Sequence, residues 1–91
     1  MDTTTKKKNK TITTNDKTNE KILVVHNDEI HSFDYVIDAL MDICGHGMEQ
    51  ATQCAYLIHY KGKADVKKGS MDTLKPMAKE LITLNLKTTI E

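Results

Sequence analysis

The sequence predicts a small two-layer α+β domain, in which a three-stranded antiparallel sheet packs against three helices in the order β-α-α-β-α-β. Three observations predict it. Ile22-Leu23-Val24-Val25-His26 is a short β-branched-rich run; three longer stretches repeat apolar residues at three- and four-residue intervals; and two stretches alternate apolar with polar residues. At 91 residues, 38% hydrophobic and with only three Tyr and one Phe as aromatics, the chain supports one small core and no second domain.

The first strand, Ile22 to His26, is apolar enough to be buried on both faces and ends on Asn27-Asp28-Glu29, after which Ser32 is a good helix N-cap. Phe33, Val36, Ile37, Leu40, Met41 and Cys44 then form a helical stripe that Gly45 and Gly47 stop. A second helix runs from about Met48 to Tyr60, with Met48, Ala51, Ala55 and Ile58 on one face and Gly62 closing it. His59 is four residues from Ala55 and shares that inward side. Ala64 and Val66 alternate with Asp65 and Lys67 between Gly62 and Gly69, the pattern of a half-exposed edge strand. A third helix carries Leu74, Met77, Ala78, Leu81 and Ile82; Pro76 belongs in a first turn, which sets the start near Thr73. Leu84, Leu86, Thr88 and Ile90 alternate with polar residues as a last strand.

Composition narrows the function classes. No apolar run reaches the eighteen or more residues of a membrane span and no apolar leader opens the chain, so a cytoplasmic protein without membrane contact is expected. Cys44 and Cys54 lie in apolar helical stripes at a spacing that matches no zinc signature, and buried free thiols are expected. The net charge of zero conceals an asymmetry: residues 1–21 carry six Lys against three acids, and the remainder carries seven Lys against ten acids. Residues 1–20 are almost entirely Thr, Lys, Asn and Asp, too polar to offset their ordering entropy, and are read as a disordered extension ahead of a domain at 21–91. With no arginine in the chain, the Lys6-Lys7-Lys8-Asn9-Lys10 cluster lacks the planar fork that reads phosphate and guanine, and no nucleic-acid partner is expected.

A strand end opening on an amide and two carboxylates is suited to accept hydrogen bonds from a cation such as an amine. Asn27 offers a carbonyl oxygen, Asp28 or Glu29 a carboxylate, and neutral His59 a ring nitrogen, the acceptor set a free protein N-terminus requires. Two other readings use the same residues. Asn27 and Asp28 could simply form a turn, with His59 a core histidine; or His26, Asp28, Glu29, His31 and His59 could ligate a metal in a small regulatory or interaction domain, if the fold gathers them. No nucleophile stands beside a base, so no catalytic residue and no cofactor are assigned.

The blocks Val25-His26-Asn27-Asp28-Glu29, Phe33-Asp34-Tyr35-Val36-Ile37-Asp38-Ala39-Leu40, Ala51-Thr52-Gln53 and Ile58-His59-Tyr60-Lys61-Gly62-Lys63-Ala64 together resemble the ClpS family of protease adaptors, over roughly residues 22–91. The resemblance implies a non-enzymatic adaptor of the N-end rule. Such a protein binds the free α-amino group and a bulky first residue (Phe, Tyr, Trp or Leu) of an N-degron substrate, and delivers it to a ClpA- or ClpC-type AAA+ unfoldase coupled to ClpP. By position it assigns amine binding to Asn27, Asp28, Glu29 and His59. It assigns the hydrophobic pocket to Val25, His31, Ser32, Phe33, Val36, Ala39, Ala55 and Ile58, unfoldase docking to Asp72, and unfoldase engagement to residues 1–20. The chain departs from the family pattern at Glu29, where Asp is usual; at Phe33 and Ala55, where Met is common on the two pocket walls; and after Gly69, where Lys67-Lys68-Gly69-Ser70 and Pro76 replace a longer apolar stretch. The exchanged walls imply a pocket favouring aromatic first residues over Leu, and the altered stretch points to a ClpC-like or lineage-specific unfoldase.

Overall fold

The computed structural model describes residues 19–91, as β1 (Lys21–His26), α1 (Phe33–Cys44), α2 (Met48–Lys61), β2 (Lys63–Gly69), α3 (Met71–Thr83) and β3 (Thr88–Ile90). The extension expected at residues 1–20 lies outside the described residues except for Asn19 and Glu20. The sheet order is β2-β1-β3 with both pairings antiparallel, so the expected architecture is the one observed. β1 is central because it alone has an unbroken buried run, Leu23-Val24-Val25, whereas β2 shows the alternating burial of an edge strand. Leu23 and Val25 face the helices and share one core with Val36 and Leu40 of α1, Ala55 and Ile58 of α2, and Leu74 and Leu81 of α3. Val24, also buried, stands outside that core and opposite Asp65 and Thr89 in register.

A β-bulge decides what β2 contributes. Leu23 pairs with Lys67 and Val24 with Asp65, which leaves Val66 as an extra residue. Beyond the bulge Lys67 turns inward, and its ammonium donates to the Cys44 carbonyl at the end of α1 (3.3 Å). The Val66 carbonyl accepts the Nε2–H of buried His46 at 2.7 Å, tying the α1–α2 turn to the sheet edge. The His46 Nδ1 is buried and has no hydrogen-bond partner among the described residues.

Helix ends follow local chemistry. Ser32 Oγ accepts the Tyr35 N–H and caps α1, and Gly45 and Gly62 close α1 and α2 in the left-handed region at φ +72° and +98°. Four expectations need correction, the first being Ile82, which is 53% exposed and off the buried stripe of α3. α3 begins at Met71, not near Thr73, because Ser70 caps it by accepting the Thr73 N–H (3.2 Å). Pro76 therefore sits in the second turn, where it is exposed and water can satisfy the carbonyl one turn back. β3 covers only Thr88–Ile90, because the chain leaves α3 through a Schellman turn: Leu86 N–H donates to Leu81 O (3.0 Å), Asn85 N–H donates to Ile82 O (2.8 Å), and Asn85 takes φ +66°. Met48, expected on the inward face of α2, is 62% exposed because the core stripe starts one turn later, at Ala51.

A β-carbon at Gly62 would meet nothing within 4 Å, so only its backbone conformation opposes substitution. Gly62→Ala is expected to lower the unfolding free energy by about 1 kcal/mol in a urea titration. An unchanged midpoint and slope would show that α2 does not require this left-handed closure.

Candidate functional site

The end of the central strand is fixed from two sides. The His26 N–H donates to the Lys87 carbonyl just before β3 (2.8 Å), and the Asn27 N–H donates to the Gly62 carbonyl at the end of α2 (2.8 Å). These bonds set Asn27 beside the last turn of α2, with its side chain exposed. His26, one residue earlier on the opposite face, pairs through Nε2 with the Thr89 hydroxyl (2.8 Å).

From Asn27 the chain turns tightly around the Asp28 carboxylate. Oδ1 accepts the backbone N–H groups of Ile30 and His31, both at 2.9 Å, and Oδ2 accepts the His31 Nδ1–H at 2.7 Å. Burial pushes the Asp28 pKa up, but the hydrogen bonds from His31 and Ile30 outweigh it, and the net shift is downward. The carboxylate is therefore ionised, and an ionised carboxylate only accepts, so His31 carries its proton on Nδ1. The His31 ring also stacks on Tyr35 (centroids 4.7 Å apart, 21° between planes), whose hydroxyl donates to the Leu84 carbonyl at 2.9 Å. Glu29 and Ile30 form the exposed tip of this turn.

His59 is half-buried on the α2 side of the site. Its Nδ1 lies 3.1 Å from the Ala55 carbonyl one turn earlier, and a carbonyl only accepts, so Nδ1 bears the hydrogen. In the neutral ring Nε2 then holds a free lone pair. Phe33, which enters the site from the first residue of α1, tilts against this ring with centroids 5.4 Å apart and planes at 53°. These residues supply groups that can accept hydrogen bonds: an exposed amide on Asn27, a lone pair on the neutral His59 ring, and an ionised carboxylate on Asp28.

The family model described as ATP-dependent Clp protease adaptor protein ClpS matches residues 16–89. The chain belongs to the ClpS family. Its fold is similar to the solved structure of Agrobacterium tumefaciens ClpS2 bound to L-phenylalaninamide, with a TM-score of 0.76 and 20% sequence identity over 80% of this chain and 95% of that one.

The residues singled out by their resemblance to ClpS adaptors fall into two groups. Val25, Val36, Ala39, Ala55 and Ile58 are core residues, none more than 4% exposed. His31, Phe33 and His59 are half-buried above them, and Ser32 is exposed while capping α1. Asp72 is exposed on the first turn of α3. The metal alternative loses the gathering it needs. His26 is bonded to Thr89, Asp28 to His31, and His59 to Ala55, and the described residues contain no group of three or more His, Cys, Asp or Glu able to hold an ion. Cys44 and Cys54 are both buried and free; burial pushes the Cys44 thiol up to about 11 and raises that of Cys54 as well, so neither is an activated nucleophile. No described helix is long and apolar enough to cross a membrane. The turn offered as one reading of Asn27 and Asp28 is present and anchored by the Asp28 carboxylate; what sequence reasoning missed is its pairing with His31. The signal was Asp28 followed three residues later by His31, a spacing at which an Asx turn and a side-chain pair coincide.

A depressed Asp28 pKa contributes stability that is present above the unfolded value and is lost as pH falls through the folded one. Wild type is therefore expected to exceed Asp28→Asn in urea-unfolding free energy at neutral pH, with the gap shrinking as pH drops below about 4, the unperturbed aspartate range. A gap that persists unchanged at pH 2.5 would contradict an ionised Asp28 as the anchor.

Proposed function

We propose that this ClpS-family chain binds the free α-amino group and the bulky hydrophobic first residue of protein substrates, and carries them to a ClpA- or ClpC-type unfoldase for degradation. It acts by binding alone, without chemistry of its own, in the cytoplasm. The observation that carries the reading is the His59 ring, whose Nδ1 is committed to the Ala55 carbonyl so that Nε2 of the neutral ring is left to accept, on the helix whose end binds the Asn27 backbone. An α-ammonium presents three donors to such acceptors. L-phenylalaninamide, the ligand of the structurally similar Agrobacterium ClpS2, combines a free α-amine with a phenyl side chain and is a minimal form of the proposed substrate.

Affinity needs both halves of that substrate. Burial of one Phe or Leu side chain is worth roughly 1.5–3 kcal/mol, which leaves the amine contacts to supply much of the rest. The ionised Asp28 favours the cation through its charge and shapes the turn with its oxygens, and Glu29, exposed and one methylene longer than the usual Asp, adds a second negative charge at the rim. Phe33 and the His59 ring offer aromatic faces to the guest, an arrangement worth about 0.5–1.5 kcal/mol more for an aromatic side chain than burial alone. Asp72 and residues 1–20 are the proposed contacts to the unfoldase.

Fluorescence anisotropy with Phe-initiated peptides tests the reading. The free-amine peptide is expected to bind and its N-acetylated twin to lose at least tenfold, because acetylation removes the charge and leaves the acceptors unpaired. Asn27→Ala and His59→Ala should each weaken the free peptide by about 1–3 kcal/mol. Equal binding of the two peptides would overturn the proposal. Phe is also expected to outbind Leu at the first position, and the preference should shrink in Phe33→Leu; equal affinities in wild type would sink the aromatic wall.

A further inference from the structure

α2 carries apolar surface that its packing on the core does not use. Tyr56 and Tyr60, 57% and 70% exposed, lean on each other with ring centroids 4.5 Å apart, and Leu57 beside them is also exposed. A groove of about 320 Å3 on this outward face is lined by Thr52, Gln53, Tyr56 and Leu57. That volume is at the lower end of the range for small-ligand clefts, roughly 300–1,000 Å3. The rings already support one another, so a guest would order little by settling against them.

The groove shares its helix with His59. Tyr56 lies three residues before His59, about 4.5 Å along the helix axis, and Tyr60 is its immediate neighbour. In an extended peptide alternate side chains face the same way and are spaced about 6.6 Å apart. A peptide held by its amine and first side chain at Asn27 and His59, and running back along α2, would carry its third side chain about 6.6 Å beyond its first, in the direction of the groove lining from Leu57 back to Thr52. On the side of the Asp28–His31 turn the exposed residues include the carboxylates of Glu29 and Asp34, with Ile30 at the tip between them in sequence.

We propose that the Tyr56–Leu57 groove is a subsite for an apolar or aromatic third residue of the bound N-terminal segment, so that substrates are selected at positions 1 and 3. This rests on the assignment of Asn27 and His59 as the amine site. The test is anisotropy with free-amine peptides beginning Phe-Ala-Leu, Phe-Ala-Phe, Phe-Ala-Ser and Phe-Ala-Asp, with an N-acetylated Phe-Ala-Leu control, on wild type, the Tyr56→Ala/Leu57→Ser double variant and Ile30→Ser. Wild type is expected to favour Leu and Phe at position 3 over Ser and Asp by on the order of five- to tenfold. The double variant should lose that preference while binding Phe-Ala-Ser as wild type does, and Ile30→Ser, altering the exposed tip on the other side, should keep it. The subsite is overturned if position 3 makes no difference in wild type, if the preference survives in the double variant, or if Ile30→Ser abolishes it; the amine reading stands in each case. Failure of the amine reading itself shows separately, as equal binding of the acetylated control.

Discussion

The hydrogen bond from the Asn27 N–H to the Gly62 carbonyl is the constraint on which the site depends. It joins the end of the central strand to the end of the second helix, and it exists because Gly62 takes a left-handed conformation that closes the helix and turns its carbonyl toward the strand. Sheet order makes this junction possible. β1 lies between β2 and β3, so its C-terminal end is flanked by the return of the chain from α2 on one side and by the approach to β3 on the other. Two consecutive backbone donors, of His26 and Asn27, are used to hold the two flanks. Backbone pairing thus brings Asn27 to the C-terminal end of the helix that carries His59, thirty-two positions later in sequence.

Three histidines show how a partner on one ring nitrogen decides what the other can do. A carbonyl fixes the proton on Nδ1 of His59 and on Nε2 of His46, and an ionised carboxylate fixes it on Nδ1 of His31. The consequence differs with burial. The remaining nitrogen of His46 is sealed in the core without a partner while Nε2 holds the bulged sheet edge, whereas His59 is half-buried next to an aromatic ring with the Nε2 lone pair of its neutral form uncommitted. Asp28 has a double part in this scheme. Its oxygens are occupied by the turn, but its charge is not neutralised by any described lysine, and a fixed negative charge beside an acceptor pair favours an ammonium over a neutral donor.

Most of the fold was legible because its elements obey simple periods. The β-branched-rich run at 22–26, the Phe33–Cys44 stripe with Ser32 before it and Gly45 after it, and the alternation at Ala64 and Val66 each point to one structure only. The misjudged boundaries arose where a cap outweighed a pattern. Ser70 started α3 ahead of Pro76, and the Schellman turn at Leu84–Leu86 took residues whose alternation suits a strand. Within the site, the proposed acceptors were chosen by residue type and spacing, and a turn at Asn27-Asp28 was among the readings. The tautomer of His59 and the bulge that recruits Lys67 and His46 were not legible, since each depends on a backbone carbonyl or a register that no side-chain pattern records.

The central claim is that Asn27 and the free Nε2 of His59 receive an amine. Long-range nitrogen–proton NMR of the imidazole rings, followed through addition of L-phenylalaninamide and then of its N-acetylated form, tests it most directly. The account predicts a neutral His59 protonated at Nδ1, with a shift of Nε2 and of the Asn27 side-chain amide on adding the free amine and none with the acetylated form. A His59 protonated at Nε2, or equal shifts from both compounds, would contradict it.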